Sequence, residues 1–367
     1  MNGAGQSHGG GARARLIVYY LPQFHPIPEN DEWWGRGFTE WTNTAKARPL
    51  YKGHYQPHLP ADLGFYDLRL PETRAAQAAM ARKHGVEAFC YFHYWFAGRR
   101  LLERPFNEVL ASGEPDFPFC LCWANQTWTG IWHGAPDRVL MEQTYPGTED
   151  HRRHFEALLP AFCDKRYLKV DGKPLFVVYN PRELPDSPRV FDLWRGLAAK
   201  AGLPGLFLVA ERWQPEYDPK PHGYDAGVKI SLWPLRDKYV PWNQPVRKIK
   251  DKYEKLRGRP TVYEYEHFIG SQTSETIPGI DNFPCVIPNW DNTPRSGKNG
   301  LVLHGSTPEL FRRNLQRALD QMRDAPPERR IVFVKSWNEW AEGNHLEPDQ
   351  RFGLRYLEAL REELLGP

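Results

Sequence analysis

The amino-acid sequence predicts an α/β protein, a (β/α)8 TIM barrel with long loops on the C-terminal face. Three observations lead to this prediction: eight short apolar runs, helix-like stretches between them, and polar or aromatic clusters at one end of most runs. Strands buried on both faces are apolar throughout, and strands that alternate with helices form parallel sheets. Eight repeats favour closure into a barrel over an open, doubly wound sheet, which is the structural alternative.

The predicted elements alternate along almost the whole chain. Pro71 begins a helix-like run and Gly85 follows it, which are typical boundary signals of a helix. The predicted strands cover residues 16–20, 88–93, 117–123, 174–179, 206–210, 225–230, 285–289 and 331–337. The predicted helices cover residues 71–84, 150–162, 189–201, 307–322 and 350–365.

The domain organisation is simple. We expect a flexible tail over residues 1–14, which is rich in Gly and polar residues, and one barrel-shaped catalytic domain over residues 15–367. Two long insertions, residues 21–70 and 231–284, each follow a predicted strand. Loops that follow strands rise on the C-terminal face of a barrel, where active sites form. Both insertions should therefore shape the site.

The composition gives no reason to expect a nucleic-acid partner or a transmembrane segment. The 48 Lys and Arg nearly balance the 45 Asp and Glu, for a formal net charge of +3. No run approaches the roughly 18 apolar residues of a spanning helix, and the tail lacks the apolar core of a signal peptide. The five Cys are odd in number and contain no CxxC pair, which favours buried free thiols. These features predict a cytoplasmic protein.

Aromatic residues make up 14% of the chain, with 14 Trp, 17 Tyr and 19 Phe. A large core can take aromatic residues as filler. Many of the Trp, however, stand beside His, Asn, Gln and Glu in predicted loops. Apolar platforms with a few polar groups suit a pocket that stacks on sugar rings and binds their hydroxyls.

Polar and aromatic side chains gather at the C-terminal ends of most predicted strands. Each cluster alone has a structural explanation, because aromatic residues cap barrels and His often satisfies buried backbone groups. Their recurrence on one rim favours a carbohydrate pocket. The candidate substrate-binding residues are Tyr20, Gln23, His25, Trp34, Glu40, Trp41, His58, His93, Tyr94, Trp95, Trp123, Asn125, Gln126, Tyr179, Glu211, Trp290, Trp337, Asn338 and His345.

Glu339 and Glu342 are the candidate catalytic residues. If the chain turns helically there, their β-carbons lie about 5–6 Å apart on one face. Retaining glycosidases use two carboxylates at about that separation, one ionised and one held protonated by its surroundings. An exposed helix start is the alternative, since Glu is common in a first turn. Trp337 and Trp340 in the same segment favour the buried arrangement.

Other chemistries find little support in the sequence. It contains no GxGxxG after a strand, no GxxxxGK[ST] loop and no GxSxG elbow. His54, His58 and His93 could join Asp62 as metal ligands, but contacts to sugar hydroxyls explain these residues as well. We therefore expect neither a metal nor another cofactor.

Several long motifs resemble one known family. The strings YYLPQFHPIPEND, WWG, GFTEW, GHYQPHLPADLGFYD, FCYFHYWF, LLERPFNEVL, FPFCLCWAN, RYLKVDGKPLF and SWNEWAEGNHLEPD resemble the WbsX-like proteins of bacterial polysaccharide gene clusters. That group is related to glycoside hydrolase family 99, the endo-α-1,2-mannosidases. The resemblance extends from about residue 16 to residue 356, and the tie to family 99 rests mainly on the last motif and the barrel.

The resemblance implies a (β/α)8 fold and a retaining reaction on α-linked sugars without a metal. The final motif of family 99 falls on residues 338–343, NEWAEG. By this resemblance Glu339 deprotonates the sugar 2-hydroxyl, which displaces the leaving group through a 1,2-anhydro intermediate. Glu342 is then the acid for the leaving oxygen and the base for water. A glycosyl-enzyme route is not distinguished from this one by the sequence.

One position departs from the family pattern. Where the WbsX-like motif commonly reads Trp-Ala-Asn-Glu-Asn-Trp, this chain has Gln126 and Thr127 in the fourth and fifth places. A neutral Gln126 cannot act as an acid or a base, so specificity or activity could differ here. The departure leaves the pair of glutamates untouched.

Three functions remain open at this point. The first is a retaining glycoside hydrolase that acts on an α-linked, mannose-like oligo- or polysaccharide. The second is a glycosyltransferase or transglycosylase of O-antigen or capsule assembly, for which no Asp-x-Asp site or nucleotide-binding crevice is evident. The third is a catalytically silent carbohydrate-binding barrel, against which the two glutamates argue.

Overall fold

A computed structural model describes residues 12–130, 135–214, 216–230, 232, 257–272 and 276–366. Its centre is a closed barrel of eight parallel strands, so the predicted fold is confirmed. The strands are β1 (Arg15–Tyr20), β2 (Ala88–Phe96), β3 (Phe119–Trp123), β4 (Lys173–Val178), β5 (Phe207–Arg212), β6 (Ala226–Lys229), β7 (Asp281–Val286) and β8 (Ile331–Val334). Each pairs with the next in chain order, and β8 pairs with β1.

All eight predicted strands exist. The largest difference is at the start of β7, which begins at Asp281 and not at residue 285, and proline stands at two other ends that differ. β3 begins at Phe119 and not at residue 117, and β7 ends at Val286 and not at residue 289. Pro118 and Pro288 stand at these points, and proline has no N–H to donate to the sheet. β8 ends at Val334, although Lys335 and Trp337 still donate backbone N–H groups to the carbonyl oxygens of Val286 and Tyr19.

Helices surround the barrel. Four of the five predicted helices differ from the observed ones by one or two residues at an end. The fifth begins at Arg355 and not at residue 350, because Asp349 Oδ1 first accepts the N–H groups of Arg351 and Phe352 in a turn. The corresponding helices are Pro71–Lys83, Thr148–Phe162, Ser187–Lys200, Pro308–Gln321 and Arg355–Leu365. Further helices are Pro28–Trp34, Glu40–Lys46, Arg104–Ser112, Tyr265–Ser271 and Thr293–Ser296.

The long loops add smaller sheets at the C-terminal face. A three-stranded sheet joins Thr261–Glu264, Leu301–His304 and Trp290–Asp291. Short hairpins pair Trp128–Gly130 with Ala135–Met141, and Asn338–Glu339 with Asn344–His345. Arg99–Leu101 pairs with β2, and Lys169–Val170 pairs with β4. Residues 1–11 of the predicted tail and residues 233–256 of the second insertion lie outside the described residues.

A buried carboxyl group ties the loop after β1 to the chain after β8. Glu347 accepts hydrogen bonds from Gln77 Nε2 at 2.7 Å, Tyr66 Oη at 2.8 Å and Trp340 Nε1 at 2.7 Å. Burial raises the pKa of Glu347 to about 7. Three donors from separate segments therefore depend on this one acceptor.

The described part of the chain contains no helix that is both long and apolar enough to cross a bilayer. Its five cysteines are free, as predicted. Four of them are buried, whereas Cys163 is exposed at the end of helix Thr148–Phe162, contrary to a general expectation of burial.

We predict that Glu347→Ala lowers the free energy of unfolding by about 3–5 kcal/mol, because it leaves three buried donors without an acceptor. Urea titration followed by tryptophan fluorescence measures the change. Glu358→Ala, at an exposed position of the last helix, is the control and should change it by less than about 0.5 kcal/mol. Equal stability of the two variants would contradict the assignment.

Candidate active site

The chain after β8 forms a hairpin, residues 338–345, that carries both candidate catalytic glutamates. Ser336 Oγ accepts the backbone N–H of Glu339 at 2.8 Å and so turns the chain out of the strand. The side chain of Asn338 binds both the N–H and the C=O of Leu21, at 2.8 Å and 3.0 Å. These bonds hold the hairpin against the end of β1.

The tip of the hairpin is a single 3₁₀ turn, Trp340–Glu342, where a helical turn was predicted. Gly343 closes the turn with a φ of +53°, in the left-handed region that glycine adopts most readily. A β-carbon added to Gly343 would lie 2.9 Å from Cβ of Asp291. The hairpin therefore lies directly against the loop after β7.

A buried arginine from that loop lies among three carboxylates. Nη1 of Arg295 lies 2.5 Å from Oε1 of Glu342 and 3.3 Å from Oε2 of Glu339. Its Nε and Nη2 each lie 3.1 Å from Oε2 of Glu40. Because Nη1 contacts both carboxylates, Oε1 of Glu342 and Oε2 of Glu339 can be no farther apart than the sum of these two distances. That upper limit is closer to the carboxyl separation of retaining glycosidases, roughly 5–5.5 Å, than to that of inverting ones, roughly 6.5–9.5 Å.

Asp291 fixes the short helix Thr293–Ser296, which presents Arg295. Its Oδ1 accepts the backbone N–H of Thr293 at 3.0 Å and the hydroxyl at 2.6 Å. Its Oδ2 lies 2.6 Å from Nε2 of His54, in the insertion after β1. The loops after β1 and β7 are thus joined directly beneath the arginine.

The electrostatics of the cluster favour retention of one proton. Burial and the nearby Glu342 raise the pKa of Glu339 to about 8. Burial also raises the pKa of Glu40, although Arg295 opposes this shift. Burial lowers the pKa of Arg295, but the surrounding carboxylates raise it more, so the guanidinium stays charged. Near neutral pH the pair of Glu339 and Glu342 therefore holds one proton, which burial places on Glu339.

A second ion pair forms the floor of the site. Nζ of Lys335, directly after β8, lies 3.4 Å from Oε2 of Glu211 at the end of β5. Burial lowers the pKa of Lys335, but Glu211 and the other acidic groups nearby together raise it more, so the ammonium stays charged. The ammonium also lies 4.7–5.8 Å from the ring centroids of Tyr19, Phe92, Tyr179 and Trp213.

Two adjoining cavities open above these residues. One of about 280 Å³ is lined by both candidate glutamates, and one of about 680 Å³ is lined by Glu342. The residues that line both are Gln126, Tyr179, Trp213, Trp290 and Glu342. Within the described residues, the indole N–H groups of Trp213 and Trp290 have no hydrogen-bond partner. Apolar walls with a few open polar groups are the usual composition of a small-molecule site.

Nine of the predicted site residues line these cavities. They are Gln23, Trp34, Tyr94, Gln126, Tyr179, Glu211, Trp290, Glu339 and Glu342. The others lie outside both cavities, where they support the site instead of lining it. Glu40 is one of these, since it is fully buried beside Arg295.

Three predicted residues pack between the barrel and helix Thr148–Phe162. Nε2 of His93 lies 2.8 Å from Nε2 of His154, a residue of that helix. The ring of Trp95 stacks on His154 at 4.7 Å, and Trp123 meets the same ring edge-on at 4.6 Å. These side chains fill the layer between β2, β3 and the helix and line neither cavity, and a contact with substrate stays a prediction.

Five further candidates hold the first loop and the final hairpin together. Tyr20 donates to Gln77 at 2.6 Å. Trp41 packs on Trp340 at 5.6 Å, and Trp337 packs on Phe89 at 5.2 Å. His58 and His345 face each other, with 3.0 Å between Nδ1 of the first and Nε2 of the second. All five are buried, and His58 also lines a separate cavity of about 180 Å³.

The last three candidates satisfy backbone groups. His25 Nδ1 lies 3.0 Å from the carbonyl oxygen of Pro22. The side chain of Asn125 binds both the N–H and the C=O of Asn180, each at 2.8 Å. Asn338 does the same for Leu21, as described above. This is the structural role that the sequence analysis considered as the alternative for single polar residues at strand ends.

The sequence analysis missed Arg295, Lys335, Trp128 and Trp213, all of which line the smaller cavity. Trp128 and Trp213 follow the third and fifth predicted strands and carried the same signal as their chosen neighbours. Lys335 lies inside the predicted strand 331–337, where a single charge in an apolar run was a usable signal. Arg295 lies in a loop and carries no local signal.

The metal ligands considered from the sequence do not come together. His93 lies beside His154, His54 pairs with Asp291, and Asp62 is exposed. His58 instead lies near His345 and Asp349.

Comparisons with known proteins agree with this architecture. The model of the family described as "Glycosyltransferase WbsX" matches residues 16–360. The chain is 39% identical over 354 residues to protein WxcX of Xanthomonas campestris pv. campestris strain B100, an alignment that covers 96% of this chain and 50% of that protein. The chain thus spans about half the length of the curated relatives it matches.

Solved structures share the fold. One described as "Glycoside hydrolase-like protein" has a TM-score of 0.58 at 16% identity and covers 99% of this chain and 97% of that chain. The GH99 endo-α-mannosidase of Bacteroides thetaiotaomicron, in complex with bis-tris propane, has a TM-score of 0.54 at 14% identity and covers 95% of both chains. At these identities the similarity shows a common barrel fold.

We predict that Lys335→Met lowers the free energy of unfolding by about 3–5 kcal/mol, because it leaves the buried carboxylate of Glu211 without its cation. Adding Glu211→Gln should recover roughly 1–3 kcal/mol of that loss. Urea denaturation of the two single variants and the double variant forms the cycle, with exposed Lys200→Met as the control. Strictly additive effects would show that the two groups do not interact.

Proposed function

The chain belongs to the family described as Glycosyltransferase WbsX, which confirms the resemblance seen in its sequence, and on that premise we propose that it cleaves α-linked, mannose-like glycosides with retention. The observation that carries this proposal is the contact of Glu339 and Glu342 with the single cation Arg295. Two close carboxyls that share one proton, at the base of an aromatic-lined cavity, are what acid–base cleavage of a glycosidic bond requires.

The proposed reaction has two steps, with the roles that the family 99 resemblance implies. In the first, the carboxylate of Glu339 takes the proton of the sugar 2-hydroxyl and O2 bonds to C1. The bond from C1 to the leaving oxygen breaks, and that oxygen takes the proton of Glu342. In the second, Glu342 takes a proton from water, whose oxygen bonds to C1. The C1–O2 bond then breaks and O2 recovers its proton from Glu339.

This cycle begins from the opposite protonation state to that of the unliganded site. In the unliganded chain the raised pKa of Glu339 keeps its proton near neutral pH. Substrate binding therefore has to move one proton from Glu339 to Glu342 while the total stays the same. Arg295 contacts both carboxyls, so it can stabilise whichever of them is ionised.

The cavities support an oligo- or polysaccharide substrate. They meet at Glu342, so sugar units can occupy both sides of the bond whose oxygen this residue protonates. Tyr179, Trp213 and Trp290 line both cavities and offer ring faces for stacking. Gln126 also lines both and offers an amide to sugar hydroxyls without acid–base chemistry.

Sugar transfer in O-antigen or capsule assembly is the second candidate, favoured by the description of the family. The same site would perform it if a saccharide hydroxyl replaced water as the group that bonds to C1. The larger cavity has room for such an acceptor. Incubation with α-mannosides, bacterial surface polysaccharides and nucleotide sugars, with analysis of the products, distinguishes hydrolysis, transfer and binding without turnover.

A cytoplasmic location stays a prediction.

We predict that Glu342→Gln slows cleavage of natural α-mannosides about 10²–10⁴-fold, because it removes the proton donor for the leaving oxygen. Aryl mannosides with acidic leaving groups need little protonation, so the variant should release the aryl group at close to the parent rate. Glu339→Gln should be slow on both substrates. Release of the aryl group is followed by absorbance, with exposed Glu149→Gln as the control.

Two results would reject this assignment. If Glu339→Gln and not Glu342→Gln is rescued by the acidic leaving group, the two roles are exchanged. If a 2-deoxy substrate is cleaved as fast as its parent, the 2-hydroxyl does not take part.

We predict that kcat/KM falls as the pH rises through about 8, because the free protein loses the proton that the pair must hold. Initial rates measured from roughly pH 5 to pH 10 test this prediction. A profile that stays level through the alkaline range would contradict a shared proton.

The same shifted group gives a stability signature. The pKa of Glu339 is raised by folding, so its stabilising contribution is complete below the ordinary pKa of a glutamate and is lost as the pH rises through about 8. Glu339→Gln should therefore unfold at a higher temperature than the parent above that pH, by the equivalent of roughly 1–4 kcal/mol. Differential scanning calorimetry at pH 4.5 and pH 9 measures the difference, which should be small at the lower pH.

A further inference from the structure

A second cluster of chemically competent side chains lies behind the active-site hairpin. His58, His345 and Asp349 are buried, and one ligand atom of each lies within 4.8 Å of the others. We propose that these three residues bind a divalent transition-metal ion, with Zn²⁺ as the best match. Two imidazoles and one carboxylate are a common protein ligand set for zinc, which takes water or another ligand in its fourth position.

The hydrogen bond that His345 makes through Nδ1 leaves its Nε2 available to coordinate a metal ion. Its Nδ1 lies 3.0 Å from the carbonyl oxygen of Glu347, which can only accept, so Nδ1 carries the proton. Nε2 therefore presents a lone pair toward His58. A backbone carbonyl that fixes the tautomer of a ligating histidine is the usual outer-shell partner at metal sites.

The distance between the two ring nitrogens is compatible with one metal ion shared between them. Nδ1 of His58 and Nε2 of His345 are 3.0 Å apart. A zinc ion about 2.0–2.1 Å from each of two nitrogens at a tetrahedral angle holds them about 3.3 Å apart. A separation a few tenths of an ångström wider than the observed one is therefore enough to admit the ion.

The carboxylate is already oriented toward the same space. Oδ1 of Asp349 accepts the backbone N–H groups of Arg351 and Phe352, at 3.0 Å and 2.6 Å. A direct hydrogen bond between the rings of His58 and His345 would explain their contact without a metal. The two N–H groups likewise account for one oxygen of the buried carboxylate, whereas a divalent cation would account for the meeting of all three side chains in one place.

An adjacent cavity supplies access and a fourth ligand. It has a volume of about 180 Å³ and is lined by His58, Asp349 and His304, among others. A cavity of this size holds several water molecules. An ion bound to the trio thus has a path to solvent through this cavity.

The ion would act as a positioning device for the active site. His58 belongs to the insertion after β1, whereas His345 and Asp349 follow the catalytic hairpin. The ring of His345 stacks on Trp340 at 3.9 Å, and Trp340 directly follows Glu339. Coordination would therefore fix the hairpin to the first insertion from behind.

The test uses the full chain, purified without chelator and then stripped with EDTA. Elemental analysis before stripping, and Zn²⁺ titration against a chromophoric chelator after it, should both give one ion per chain. Added Zn²⁺ should raise Tm according to mass action. Co²⁺ in its place should give the visible bands of a tetrahedral site without a thiolate charge-transfer band, because no cysteine belongs to the trio.

Matched variants identify the ligands. His58→Gln and Asp349→Asn should weaken Zn²⁺ binding at least about 100-fold and remove the rise in Tm. His304→Gln changes a histidine of the same cavity that is not one of the trio, so it should bind as the parent does. The rise in Tm of the parent chain keeps the test informative even if a ligand variant folds poorly.

Three results would overturn the proposal. One is a parent chain that neither holds nor binds Zn²⁺ or Co²⁺. Another is equal affinity in the trio variants and His304→Gln. The third is a thiolate band with Co²⁺, which would assign the metal to cysteines. None of these results would bear on the assignment of Glu339 and Glu342.

Discussion

The active site depends on one buried guanidinium. Arg295 comes from the loop after β7, Glu40 from the insertion after β1, and Glu339 and Glu342 from the hairpin after β8. A buried cation is strongly unfavourable unless its partners are in place, and so are carboxylates without the cation. The three loops can therefore reach low free energy only together. This coupling explains how long, irregular segments hold two carboxyls at a defined separation.

The same crowding of charge supplies the chemistry. Four carboxyls, those of Glu40, Glu211, Glu339 and Glu342, surround two cations. An excess of carboxyls in a poorly solvated place favours a bound proton, and burial directs that proton to Glu339. Under the proposed function, stability and reactivity are thus set by one balance. The arrangement that holds the loops together also keeps the proposed acid and the proposed base side by side.

The sequence predicted the fold well because burial on both faces leaves a local signal in every strand. It placed strand ends less well where proline ends the pairing, as at Pro118 and Pro288. It also found Glu339 and Glu342, whose Trp-rich segment is distinctive. It did not find Arg295, because the role of that residue arises from contacts between distant loops. Many rim residues, such as His93 and Asn125, have the composition of a sugar site but support backbone and helix instead. Composition alone does not separate the two uses.

Gly343 sets a limit on how this site can change. Its missing side chain lets the hairpin lie against Asp291, the residue that holds the arginine helix in place. Neither the hairpin nor that loop can be altered in length or bulk without separating acid, base and cation. Gln126, Thr127 and Trp128 line the cavity on a different loop, so under the proposed function selection experiments for new sugar specificities should concentrate there.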